Sequence, residues 1–450
     1  MQNAAPRPQN SPLPGGVGNC YVFAFFNAVA FQIFLGAPII LYAKTLGAGP
    51  VVLGVLASLT PLLTVMQIPG AHYMTKTGYK RLMLFGWGSR NIFVLLAALL
   101  PLLAFLDDQA RIVLLLAAAF AFNLSRGFTS GAWMPWISDL IPEQVRGRYL
   151  GREQLCTHCG SLFSMLICAL LLQGEKVAQW QFSAVIAVSF ASGITSWLYL
   201  RRVPETTSQE VMRTSSAPVP WGAMIKYPPF LKLVLLNALF AMAIGSLGVF
   251  QLSFLRSNTT LTETQILLVS ATSFLAAVIA STWTGPLVDR VGSRPIMRTA
   301  LGIFCGVLAA WFLWAADIVP GGLGYAVGLF MVTGIAGSSF ALANVRLAMM
   351  TMPPMGRNHF YAIFTVITSL SLGLSPILWG VLLESLRDFD MTWGGLRWRE
   401  FSVYFLGLGV LTFLTYFTTF SLHENRLTPD DRITSIVSGN LRRLWRLWVK

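Results

Sequence analysis

The chain has 450 residues, of which 55% are hydrophobic and only 11% charged, and it carries a formal net charge of +14. A soluble domain has about a quarter of its residues charged, so this composition excludes a single soluble core and places the chain in lipid. Its basic residues fall in short loops between apolar runs, as membrane topology requires, and imply no nucleic-acid partner.

Apolar runs near the roughly 20 residues needed to cross the hydrocarbon layer predict spans at 19–43, 50–71, 82–106, 111–140, 154–174 and 179–201, then 229–255, 264–288, 295–316, 322–350, 360–384 and 401–421. Residues 1–18 form a polar tail without a basic n-region or a cleavage site, so the first span reads as an uncleaved signal anchor. Residues 202–228 are the longest polar stretch between spans, with Pro204, Pro218, Pro220 and Pro228, and link an N-terminal bundle (19–201) to a C-terminal one (229–421). In the tail at 422–450, Leu441, Leu444, Trp445 and Trp448 alternate with Arg442, Arg443, Arg446 and Lys450. That pattern predicts an amphipathic helix lying on anionic lipid. The expected fold is all-α and polytopic, with twelve transmembrane helices in two six-helix bundles.

Twelve spans put both termini on one side of the membrane. Of the 32 Lys and Arg, twenty-two fall on that side. Seven fall opposite (Lys44, Arg111, Lys176, Arg256, Arg387, Arg397, Arg399), and Arg90, Arg126 and Arg346 lie inside spans. The bias makes both termini cytoplasmic, in a plasma or bacterial inner membrane. All 18 Asp and Glu, Glu153 among them, read as belonging to one face or the other, leaving the membrane interior without a carboxylate. Cys156 and Cys159 flank His158 in a C-x-x-C on one predicted helix without further ligands, so small packing residues are expected and no metal or cofactor. No loop holds a nucleophile and base, so no enzyme is expected.

The halves repeat. Thr75-Lys76-Thr-Gly78-Tyr-Lys80-Arg81 aligns with Asp289-Arg290-Val-Gly292-Ser-Arg294, and Pro142-Glu-Gln-Val-Arg146 aligns with Pro353-Pro-Met-Gly-Arg357 at nearly the same offset. Gly285-x-x-x-Asp289-Arg290-x-Gly292-x-Arg294 resembles the signature loop of the major facilitator superfamily. The first-half copy is degraded, with Ala71 for Gly and Thr75 for Asp, and the stretch from Trp136 through Asp139 to Arg146 is also similar to members of the superfamily. The resemblance covers about 19–422. It implies two bundles rocking about a central solute cavity, a site near the bilayer midplane, and loop contacts between the halves that form in one state and break in the other. With Thr75 unable to supply a carboxylate, such a latch leans on Asp289, Asp139 and Arg146.

Arg126 sits near the middle of the fourth span, where an unpaired charge costs at least about 2.5 kcal/mol. Asn123, Arg126, Ser130 and Trp133 recur at helical spacing and predict one polar, aromatic face. By the resemblance, the fourth helix lines the cavity. A cation without a protein counter-ion suits an anionic solute held in the guanidinium fork; the alternative is an interhelical clamp. Further candidates for the cavity lining are Asn27, Gln32, Asn237, Gln251, Asn344 and Arg346. Arg90, on a helix the resemblance makes peripheral, reads rather as snorkelling or structural. His158 is a candidate proton site, although a packed histidine is the commoner case.

The function expected is therefore alternating-access transport of a small solute, favoured as an organic anion, by exchange or facilitated movement, through a protein expected to be monomeric. Rival readings are a neutral sugar or amphiphile carrier, an efflux pump, and a transport-inactive assembly or delivery factor.

Overall fold

The computed structural model describes residues 14–422, apart from 49, 173–176, 206–208, 216, 218, 220, 221, 223, 225 and 262. The predicted amphipathic tail lies, beyond Leu422, outside the described residues. Among the described residues, eleven helical segments are long and apolar enough to cross a membrane. The second predicted span, Pro50–Leu63 continuing into Gln67–Thr77, completes a set of twelve and is broken in the middle.

Several spans break, each for a readable reason. Pro61 lies inside the helix of span 2 and removes a backbone donor, and a 3-10 turn follows at Thr64–Met66. Span 1 divides into Gly18–Phe34 and Ala37–Thr45 around Gly36, with Pro38 at the restart. Span 4 divides into Asp108–Ser130 and Trp133–Leu140 at Gly131–Ala132. Span 7 divides into Pro228–Ile244 and Leu247–Asn258 at Gly245–Ser246. Interrupted helices survive in a membrane where freed backbone groups face protein or a wet cavity rather than lipid. Spans 3, 5, 6, 8, 9, 10 and 11 run unbroken as Tyr79–Leu99, Arg146–Leu171, Gln179–Arg202, Glu263–Val291, Ser293–Ala315, Leu323–Thr351 and Arg357–Ser385, and span 12 starts at Glu400 and ends in a short 3-10 turn at Ser421. The linker between the bundles carries a short helix, Gln209–Ser215.

Gly78 and Gly292 occupy equivalent turns, with φ of +79° and +86°. Each precedes a new helix directly, at Tyr79 and Ser293. These are left-handed values that favour glycine, and they explain why the repeated loops keep it. Between strands Asp390–Trp393 and Leu396–Arg399, a two-residue Gly394–Gly395 turn with φ of +62° and +76° closes a hairpin before span 12. The sequence reading missed this hairpin, although a Gly-Gly pair between aromatic and β-forming residues is its usual signal.

The bundles meet most closely where spans 5 and 8 cross. A Cβ on Gly147 would stand 2.5 Å from the Gly285 carbonyl oxygen, and one on Gly151 would stand 2.9 Å from the Gly285 Cα. Gly147 and Gly151 opposite Ser281 and Gly285 form a small-residue seam of the kind that lets membrane helices approach backbone to backbone.

Candidate solute site

On the loop face that carries the inter-bundle linker, polar contacts join the halves. Asp289, at the end of span 8, accepts hydrogen bonds from the backbone N–H groups of Gly147 and Arg148, 2.7 Å each, at the first turn of span 5. Such a helix start presents free N–H donors and the positive end of the helix dipole. Arg346 adds its guanidinium at 3.3 Å from Asp289 and donates to Ser293 at 3.2 Å. On the opposite flank Asp139 accepts from Arg357 at 2.7 Å, Tyr79 donates to Asn358 at 3.0 Å, and Ser138 and Tyr361 share a 3.0 Å bond. Arg146 donates to the carbonyls of Ser138 and Ile141. The two flanks are not copies of each other. Asp289 binds the start of span 5, whereas the start of span 11 is held through Arg357 and Asn358. The side chain of Thr75, the first-half equivalent of Asp289, lies outside the described residues.

Other signature-loop residues take lesser parts. Lys76, Arg81 and Arg290 are exposed, the Lys80 amide donates to Glu205 at 3.2 Å, and Arg294 reaches the Phe420 carbonyl at 3.4 Å. Arg346, a candidate for the cavity lining, is 3% exposed and pairs with Asp289, because its position near the end of span 10 brings it beside the signature loop.

Above the latch, a cavity of about 290 Å³ opens between the halves. Trp133 and Met134 from span 4, Glu153, Gln154, Thr157 and His158 from span 5, and Val345 from span 10 are among its walls. The Trp133 indole donates to the Glu153 carboxylate at 3.2 Å. Glu153, read from the sequence as a residue of the cytoplasmic face, stands in the cavity wall. Span 5 was expected to begin at 154, but the helix starts at Arg146, two turns earlier, and carries Glu153 into the cavity wall. The His158 Nε2 is buried without a hydrogen-bond partner.

The predicted stripe on span 4 does not continue as one face, because the break at Gly131–Ala132 separates Trp133 from the rest. Asn123 is fully buried and accepts from Thr60 of span 2 at 3.0 Å. Ser130 accepts from Gln67, also of span 2, at 3.0 Å. Both tie spans 2 and 4 together. Arg126 points elsewhere, toward span 1, with its guanidinium carbon 5.4 Å from the Phe31 ring centre. No hydrogen bond or ion pair joins it to another described residue. Asn27, on the same span as Phe31, accepts from Trp87 at 3.0 Å and from Arg90 at 2.6 Å. Arg90, read from the sequence as snorkelling or structural, is 1% exposed and folded inward onto Asn27.

The remaining candidates sit mostly within the second bundle. Asn237 and Asn344 exchange reciprocal carboxamide bonds of 2.9 and 2.6 Å between spans 7 and 10. Gln251 is 2% exposed, with its Nε2 unpartnered. Gln32 is half-buried at the end of the first helix, a turn before the break at Gly36.

The family model described as Major Facilitator Superfamily matches residues 20–255 and again 233–449. No curated protein matches the chain by sequence. Among solved structures, a bacterial homologue of the iron transporter ferroportin in an outward-facing state is similar with a TM-score of 0.71 and 13% identity, over 91% of this chain and 99% of that one. The transporter FucP in its outward conformation is similar with a TM-score of 0.70 and 12% identity, over 91% and 99%. The human organic anion transporter MFSD10 is similar with a TM-score of 0.65 and 13% identity, over 90% and 100%.

Proposed function

The chain belongs to the Major Facilitator Superfamily, and from that premise we propose that it carries a small organic anion across the membrane by alternating access, with Arg126 as the anion anchor. The fold does not choose the cargo, since structures of similar fold include a homologue of an iron transporter and an organic anion transporter. The choice rests on residues. The observation that carries it is a half-buried guanidinium, Arg126, inside span 4, touching the Phe31 ring and left without a protein counter-ion among the described residues. An interhelical clamp would satisfy its donors; Asn123 and Ser130 do that work one turn away on either side. The charge bias of the loops orients both termini to the cytoplasm. The sealed linker face is then the cytoplasmic gate, and the cycle alternates between this arrangement and one in which the Asp289 and Asp139 contacts part.

Coupling to protons is a second reading, and the position of Glu153 favours it. A carboxylate in the cavity wall, held by the Trp133 indole and within one helix of His158, supplies the titratable group that a plain facilitated mechanism does not need. Arg126→Ala in proteoliposomes should abolish uptake of any anion that stabilises the purified protein, while leaving its helical content and elution profile unchanged. Full transport by this variant would remove the anchor. Glu153→Gln should abolish acid-stimulated uptake yet retain solute exchange; pH-independent uptake by the unmodified protein would refute coupling.

A further inference from the structure

Arg126 does not stand alone. From span 3, Arg90 extends between spans 1 and 4, and its guanidinium carbon lies 4.1 Å from the Trp87 ring centre, 4.6 Å from Phe31 and 5.5 Å from Phe122. One of its terminal nitrogens donates to Asn27 Oδ1 at 2.6 Å. Its Nε and Nη1 are buried and have no hydrogen-bond partner, and the whole residue is 1% exposed. Arg126 approaches the same Phe31 ring to 5.4 Å. Two guanidinium groups thus converge on one half-buried phenyl ring, and neither makes an ion pair with a described residue.

We infer that Arg90 and Arg126 together form a site for a doubly charged anion, of the dicarboxylate or phosphate monoester class, with Arg90 as its second anchor. The inference rests on the anion reading of Arg126 and narrows it. Ring faces and an amide oxygen soften the cost of burying one guanidinium, but they do not neutralise it, and a second cation nearby raises that cost. A monoanion would leave one positive charge unbalanced in a low-dielectric setting, whereas a dianion balances both. The donors suit such a group. Arg90 has two nitrogens of its planar fork, Nε and Nη1, without a hydrogen-bond partner. Asn27 spends its carbonyl oxygen on Trp87 and Arg90, and its amide nitrogen makes no hydrogen bond among the described residues. Both cations contact the Phe31 ring, which borders any solute that bridges them. The acidic residue of the cavity, Glu153, is held by Trp133 beyond the break in span 4 and pairs with neither arginine.

The test uses the full chain in lipid nanodiscs, read by thermal stabilisation and by displacement. The probes are succinate, malate, glutarate and glycerol 3-phosphate, each set against a singly charged counterpart: the monomethyl esters of the diacids and the methyl ester of the phosphate. At pH 7.5 at least one dianion should stabilise the protein and bind at least tenfold more tightly than its monoanion. Arg90→Gln should collapse that ratio toward one, and Arg90→Lys should keep a dianion preference. Should Arg90→Gln fail to fold, Asn27→Asp provides an independent check, because it places a carboxylate at the oxygen that Arg90 already contacts. It should neutralise Arg90 within the protein and turn the preference toward the monoanion. Equal affinity for mono- and dianions in the unmodified protein, or an unchanged ratio in both Arg90→Gln and Asn27→Asp, would overturn the dianion site. The failure of the parent reading looks different: Arg126→Gln would then bind every probe as tightly as the unmodified protein, or glucose alone would stabilise it.

Discussion

Asp289→Asn is the sharpest test of the gate. The two carboxylate oxygens of Asp289 each take a 2.7 Å bond from the N–H groups of Gly147 and Arg148, while Arg346 lies 3.3 Å away with only 3% of its side chain exposed. An asparagine offers one acceptor and one N–H₂, so one of those charge-assisted bonds is lost, at about 1.5–3 kcal/mol. Arg346 is also left buried without its counter-ion, and removing one partner of a buried pair costs about 3–5 kcal/mol. The two losses share a network and do not add fully, so about 3 kcal/mol is a conservative figure, or roughly a hundredfold shift in the gate equilibrium at 1.4 kcal/mol per tenfold. The assay is a distance measurement between spin labels at Arg201 and Ser421, which are exposed on the linker face in opposite bundles. The labels would be placed in a variant lacking the free cysteines Cys20, Cys156, Cys159, Cys168 and Cys305. The longer-distance population should rise strongly in Asp289→Asn. An unchanged distribution would show that these contacts do not hold the face shut, and would refute the latch.

Gly147→Val should prevent closure rather than folding, because its added carbons would meet the Gly285 carbonyl and the Asp289 carboxylate; the same spin labels should report a permanently open linker face. Gly127→Val should act differently, since a Cβ there would fall on the Leu63 carbonyl where spans 2 and 4 pack within one bundle. Overpacking of this kind costs about 1–3 kcal/mol, visible as a lower melting temperature without a change of gate state. Arg357→Gln should weaken the opposite flank through loss of the 2.7 Å pair with Asp139, with a smaller opening than Asp289→Asn, since Tyr79–Asn358 and Ser138–Tyr361 remain. In the hairpin, hydrogen bonds from Arg397 hold the Asp390 carboxyl below the ordinary aspartate range. A carboxylate depressed in the folded state stabilises it above its unfolded pKa and loses that contribution as pH falls through the folded one. Amide exchange in 390–399 should therefore stay slow through mildly acidic pH and quicken only below the usual aspartate range, and Asp390→Asn should remove the dependence.

Much of the architecture is legible in the sequence itself. Twelve apolar runs and the repeated glycine turns have local causes: the hydropathy of about 20 consecutive residues and the positive φ that Gly78 and Gly292 adopt. The central break in span 2 was also foreshadowed by Pro61, yet hydropathy alone ran 50–71 together as one element. Assigning Glu153 failed for a similar reason. Its neighbours Arg146, Arg148 and Arg152 make the segment read as a loop, but the helix begins at Arg146 and carries Glu153, Gln154 and Thr157 into the cavity wall.

The roles of the buried cations were beyond the sequence. Arg90, Arg126 and Arg346 look alike there, three basic residues inside apolar runs. Only the packing of spans separates them: Arg346 meets Asp289 across a distance of 57 residues in the chain, whereas Arg90 and Arg126 reach one ring of span 1 from spans 3 and 4. Composition and periodicity fix which segments enter the membrane, because lipid selects on each segment separately. Which charges are paired, and which are not, depends on contacts between segments distant in sequence, and these exist only once the bundles are assembled.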